Sequence, residues 1–355
     1  MERHVSSLRG SAIAVAGLTS MLAACSNTTT TNVAAREYLE TRLVADTAGL
    51  GAASVDSSLK NPWGMAFGPT GVLWVSDNHS GASTLYDTTG AKRALVVAVP
   101  SSGSATGGAP SGIVYNPTAD FVIPGSSKAL FIFAGEDGVI SAWNASTGNA
   151  TLVADRSGNG AVYKGLAMAA NGGANFLFAT DFKQNGVDVF DATFQFVKSF
   201  TDSTVPAGYA PFGIQAIGGQ LYVTFAKQLA PANQDDQAGP GNGYVDVFNT
   251  NGTVVKRFAT RGALNSPWGV ALAPAGFGGF SGDLLLGNFG DGRIGAYDPA
   301  TGSFIDFLRD GTANPIVIDG LWGLTFGPSP DSTTLFFTAG PDGEAHGLLG
   351  TLTAK

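Results

Sequence analysis

A glycine that returns about every fifty residues constrains this chain more than any other feature. The positions are Gly64, Gly112, Gly165, Gly213, Gly269 and Gly323. Four of them sit in a Pro-x-Gly entry: Pro62-Trp63-Gly64, Pro110-Ser111-Gly112, Pro211-Phe212-Gly213 and Pro267-Trp268-Gly269. Lys164-Gly165-Leu166 and Trp322-Gly323-Leu324 are looser copies. Each entry leads into an apolar run, a turn and a second apolar run, as in Leu73-Trp74-Val75 or Leu221-Tyr222-Val223. A period of this length marks repeated supersecondary units that bury their apolar faces against one another.

Each repeat also holds a third alternating run that ends in an aromatic and a turn residue. Examples are Thr84-Leu85-Tyr86-Asp87, Val187-Asp188-Val189-Phe190-Asp191 and Ile294-Gly295-Ala296-Tyr297-Asp298. A fourth run follows, as in Thr151-Leu152-Val153-Ala154 and Phe304-Ile305-Asp306-Phe307. Period-two runs bounded by Gly, Asn and Asp are strands joined by tight turns. Four antiparallel strands in each of six radial units predict an all-β fold, a six-bladed β-propeller. The 50 glycines and 17 prolines suit its turns, and an apolar fraction of 44% with 13% charged residues argues against disorder.

The sixth unit is one strand short at its C-terminal end, where only Leu348-Leu349-Gly350-Thr351-Leu352 remains. Leu43-Val44-Ala45-Asp46, ahead of the first entry, repeats Leu152-Val153-Ala154-Asp155 from a fourth-strand position. The expectation is that residues 38–46 complete the last blade and close the ring, which removes open strand edges.

The first 24 residues predict an export signal. Arg3 and Arg9 flank the charged start, and a run from Ser11 to Leu22 is too short to span a bilayer. Leu22-Ala23-Ala24-Cys25 holds the single cysteine and resembles the bacterial lipobox, which implies a lipid anchor on Cys25. Ser26 after it resembles the outer-membrane sorting rule of Gram-negative hosts. The expected organisation is a signal peptide over 1–24, a polar tether over 25–37 and the propeller over 38–355. That makes an exported envelope protein, expected to be a monomer, with its membrane contact through Cys25. One thiol excludes an intrachain disulfide. The net charge of −8, with no Lys/Arg cluster, argues against nucleic acid as a partner.

The entry Asn61-Pro62-Trp63-Gly64, the following Gly68-Pro69-Thr70-Gly71-Val72-Leu73-Trp74-Val75 and the run Ser83-Thr84-Leu85-Tyr86-Asp87 resemble NHL-type six-bladed propellers. That superfamily includes gluconolactonase-like and streptogramin-lyase-like enzymes. The resemblance is nearer to a family of exported bacterial propellers without an assigned activity, and it covers residues 38 to 355. It implies the fold; propellers host many unrelated activities.

Candidate site residues follow from the expected loop face. The residues before the key glycines are Trp63, Ser111, Lys164, Phe212, Trp268 and Trp322. In related lactonases this position at one blade supplies an Asn to a divalent cation; Lys164 stands there in this chain, and an ammonium beside a cation is repulsive. The aromatics would either wedge between blades or line a mouth that stacks on a sugar, an aromatic ligand or a peptide side chain. Asp77, Glu136, Asp137, Asp181, Asp291 and Asp342 form an acidic loop set that would hold a divalent cation or act in acid/base chemistry, or else close hairpin turns. His79 and His346, with Asp77 or Glu344, would make a metal or acid/base group, or remain two exposed loop histidines. The long polar segment 227–243 would lie over the mouth and present Asp235 and Asp236, or be disordered. The leading functional expectation is a lipid-anchored, non-catalytic propeller that binds a small molecule, a glycan or an envelope protein. Alternatives are a metal-assisted hydrolase or lyase and an envelope scaffold.

Overall fold

The computed structural model describes residues 36–355, so Cys25 and the expected signal and most of the tether lie outside the described residues. Six four-stranded antiparallel blades stand in a ring. The first blade runs Pro62–Phe67, Leu73–Asp77, Ala82–Tyr86 and Lys92–Ala98 from the axis outward. The third and fourth begin with long inner strands, Tyr163–Asn171 and Tyr209–Ile217. A two-stranded hairpin, Pro100–Ser101 with Ser104–Gly107, projects between the first two blades.

The last blade closes as expected. Tyr38–Ala45 pairs antiparallel with Leu348–Ala354 through seven registered positions, with a shift between Arg42 and Val44. Ser54–Val55 adds a short parallel strand outside it. Tyr38 anchors the seam: its ring is buried against Phe277 and Phe280, and its hydroxyl donates to the Phe277 carbonyl at 2.9 Å.

The repeating glycine has a plain steric cause. Neighbouring inner strands approach so closely near the axis that a Cβ on Gly64 would lie 2.6 Å from the Ser111 carbonyl oxygen. A Cβ on Gly269 would lie 2.7 Å from the Trp322 carbonyl, and one on Gly323 would lie 2.5 Å from that of Trp63. Gly213 meets the Trp268 carbonyl in the same way. Glycine is required because the next blade's backbone occupies the side-chain position. Hydroxyls then tie the blades together across the same gap: Ser111 donates to the Tyr163 carbonyl, Thr180 to that of Phe212 and Thr338 to that of Trp63, at 2.7, 2.7 and 2.5 Å.

Between blades the core is aliphatic and aromatic. Trp74, Leu85, Phe131, Phe133 and Trp143 pack the first blade on the second, and Val44, Leu59, Leu73, Tyr86 and Phe336 pack it on the last. Packing, strand pairing and these hydroxyl bonds hold the ring together.

Candidate functional site

The inner strands bring Trp63, Phe212, Trp268 and Trp322 to the axis, where they meet Phe182, Ala210, Ala226 and Phe289. Trp322 is the centre of the stack. It lies 3.6 Å from Trp63 and 3.9 Å from Phe289, centroid to centroid, with both pairs nearly parallel. Trp268 meets both indoles edge-on. The aromatics pack across the axis as a plug, and two of them also face the cavity above it. Trp63, Trp322 and Phe212 are almost wholly buried for that reason. Only Trp63 and Trp322 reach the cavity above.

That cavity measures about 250 Å³ and is lined by Trp63, Trp322, His79, Glu136, Lys164, Asp235, Asp236 and Glu344, with Gly343 at its rim. Its titratable groups come from five of the six blades. The long segment in the fourth blade lies over the mouth, with Asp235 and Asp236 at the cavity, and a bridge between Gln228 and Asp236 folds it back on itself. Lys164 sits at the centre, its side chain 3% exposed. It donates to Glu136, and its Nζ stands 3.5 Å from Asp235 and 5.1 Å from the Trp63 ring centroid. Burial works against the lysine's charge, but the neighbouring Glu136 outweighs it and holds the ammonium above its ordinary pKa. Asn78 donates to the other Glu136 oxygen at 2.8 Å.

Asn61 organises the opposite wall. It is fully buried with φ of 44°, a left-handed conformation that Asn tolerates better than most residues. Its Oδ1 accepts from Trp322 Nε1 at 3.0 Å, while its Nδ2 donates to Glu344 at 2.5 Å and lies 3.3 Å from His79 Nε2. Burial raises the Glu344 carboxyl above its usual pKa, and the Asn61 hydrogen bond only partly opposes it. Burial raises Asp236 as well, with Lys164 opposing, and one Asp236 oxygen has no hydrogen-bond partner.

The other expected site residues are placed elsewhere. His346 does not join His79; its Nδ1 lies 3.1 Å from Asp46, which also accepts from Lys60. Asp77 is fully buried in the first blade rather than presented at the mouth, and burial raises its carboxyl far above the usual range. Asp181 accepts from the backbone N–H groups of Val162 and Gln184, which closes a turn, and burial carries its pKa to about 6. Asp291 accepts from Asn288 and the Arg293 backbone in another turn. Asp137 accepts from the Ser102 backbone N–H, and burial raises its carboxyl. Asp342 is an exposed turn residue with φ of 57°. Of the acidic set, only Glu136 lines the mouth. Among the described residues no group of three or more His, Cys, Asp or Glu is arranged to hold a metal ion. Ser111 is spent on holding blades together.

Sequence reasoning missed Asn61 as a site residue. The available signal was its position directly before the Pro-x-Gly entry in the first repeat alone.

The fold is that of a six-bladed β-propeller. Solved structures agree on the fold: a streptogramin B lyase superposes with a TM-score of 0.54 at 13% identity, over 90% of this chain and 97% of that one. A gluconolactonase from Xanthomonas campestris gives 0.53 at 15%, over 84% and 87%. In sequence, the chain is 34% identical over 316 residues to the uncharacterized protein R648 of Acanthamoeba polyphaga mimivirus, covering 85% of this chain and 76% of that protein. The uncharacterized protein L690 of the same virus is 34% identical over 315 residues, covering 85% and 82%. The chain belongs to the family of these mimivirus proteins. No family model matches it. These relatives are viral, whereas the resemblance drawn from the motifs was to bacterial exported proteins.

Proposed function

We propose that this protein is a binding propeller that captures a small polar molecule at the Lys164 mouth. One observation carries the reading: titratable side chains from five blades converge on one cavity floored by two stacked indoles. Titratable groups gathered in one cleft around a buried lysine are the usual mark of a binding site. The volume lies just below the usual range of roughly 300–1,000 Å³ for small-molecule pockets, which suits a ligand of about sugar size. A crystallographic fragment screen tests it without a prior choice of ligand. Fragments of any charge should seat beside Lys164 and Trp322; a screen that fills other surfaces and leaves the mouth empty would refute the reading.

The proposal includes export and anchoring through a lipid on Cys25, supported by Leu22-Ala23-Ala24-Cys25 and the polar residues after it. Metabolic labelling with a fatty-acid analogue, lost in Cys25→Ser, is the check.

A second reading, a hydrolase or lyase, draws on the architecture shared with the streptogramin B lyase and the gluconolactonase. Its acid/base residues would be His79 and Glu344, linked through Asn61, in place of His79 with His346. Turnover abolished in both His79→Gln and Glu344→Gln would favour it over simple binding.

A further inference from the structure

The mouth carries an imbalance of charge that points to a ligand class, an inference that rests on the binding reading above. Four carboxyl groups, Glu136, Asp235, Asp236 and Glu344, face one lysine. That lysine is committed to Glu136. Asp235 is 72% exposed in its side chain and therefore well hydrated. Glu344 and Asp236 differ: both are partly buried, and neither is held in an ion pair. Glu344 receives only the neutral amide of Asn61, and an Asp236 oxygen receives nothing. A partly buried carboxyl without a contacting cation is costly, and Lys164 acts on these two only at a distance, so both are open to a cationic donor from a ligand.

A second, independent feature lies in the floor. The indole N–H groups of Trp268 and Trp322 are satisfied, by the Lys164 carbonyl and by Asn61. That of Trp63 is not, although Trp63 is only 2% exposed and its ring lines the cavity. A buried, unpaired N–H calls for an acceptor such as a hydroxyl oxygen. The stacked indoles also attract a cation through their faces and pack against the C–H face of a saturated ring. An anionic ligand would gain Lys164 only by displacing Glu136 and would face the remaining carboxylates.

We propose that Glu344 and Asp236 bind the ammonium group of a small hydroxylated amine, of the amino-sugar class, whose ring lies on the Trp63–Trp322 floor. The ring packs on the indole faces, and the ammonium supplies three donors to carboxyls that have no ion-pair partner. Affinity then depends on the amine and falls steeply when it is replaced by a hydroxyl.

Isothermal titration of the protein with D-glucosamine, D-glucose and D-gluconate at neutral pH tests this. Glucosamine should bind about 10-fold or more tightly than glucose, a difference of about 1.4 kcal/mol, with gluconate weakest. Glu344→Gln and Asp236→Asn should each reduce glucosamine affinity by about 10-fold and leave glucose affinity unchanged, with thermal melts confirming that both variants fold. The wild-type preference needs no variant, so a folding defect cannot obscure the result. Equal or tighter binding of glucose or gluconate would overturn the amine proposal, as would selectivity that survives both substitutions. Failure of all three probes would overturn it too. In each case fragments seated at the mouth would leave the binding reading standing, and only their absence there would remove both.

Discussion

Replacing Trp322 with alanine removes the middle layer of the stack that fills the axis. Trp322 is 1% exposed, lies between Trp63 and Phe289, and is held by Asn61. Truncating a buried tryptophan to alanine costs about 3–5 kcal/mol through lost transfer energy and the cavity left behind. Losing the indole donor leaves the buried Asn61 oxygen unpaired, which costs a further ~1–3 kcal/mol. A total near 5 kcal/mol is a large fraction of a stability that rarely exceeds about 15 kcal/mol. With a guanidinium slope of about 5 kcal/mol/M for a domain of this size, the unfolding midpoint should fall by about 1 M. Far-UV circular dichroism against guanidinium chloride measures it. Trp322→Phe, which keeps a ring in the stack, should lose less than half as much. A midpoint that moves by less than about 0.2 M at unchanged slope would refute the claim that packing fills the channel. It would instead support an open mouth where Trp322 serves only a ligand.

Three further outcomes are expected. Gly213→Ala drives a Cβ into the Trp268 carbonyl and should cost about 1–3 kcal/mol, while Gly158→Ala, with open space around it, should be nearly neutral in the same denaturation assay. Tyr38→Phe removes the bond to the Phe277 carbonyl and should lower stability by about 1 kcal/mol; deleting residues 38–45 should expose the Leu348–Ala354 edge and bring aggregation, read by size-exclusion chromatography. Stability should fall as pH rises from about 4 to 7. Burial raises Asp181 to about 6 and Asp246 to about 7, the latter with Arg257 opposing and Asp202 adding to the rise, so the folded state keeps protons that the unfolded chain has already released. Asp181→Asn and Asp246→Asn should each flatten that slope in thermal melts across the window.

The architecture was legible because its cause is local and repeated. Each glycine answers to a backbone one blade away, so the spacing of the glycines is the spacing of the blades. The echo of Leu152-Val153-Ala154-Asp155 in Leu43-Val44-Ala45-Asp46 was enough to place the closing strand. The site was less legible because it depends on how far side chains reach across the axis. The sequence placed Lys164 and the tryptophans in one ring, but not the inward collapse that turns indoles into a plug. It grouped acids by blade position, whereas Asp181 and Asp291 turn back to their own backbones and only Glu136 reaches the mouth. His79 and His346 looked equivalent, yet Asp46 holds His346 to the closing strand. Asn61 carries no motif of its own, and its role comes from three partners in two adjoining blades.

The seam between Tyr38–Ala45 and Leu348–Ala354 also decides how the ring answers to force. A pull through the residues before Tyr38 acts first on those seven paired positions and on the buried tyrosine that starts them. No blade lies between that pull and the closure, so tension reaches the ring's closing joint before it reaches any hairpin. If the protein is tethered to a membrane, its resistance to shear is set by one strand, and the mouth stays assembled only while that strand holds.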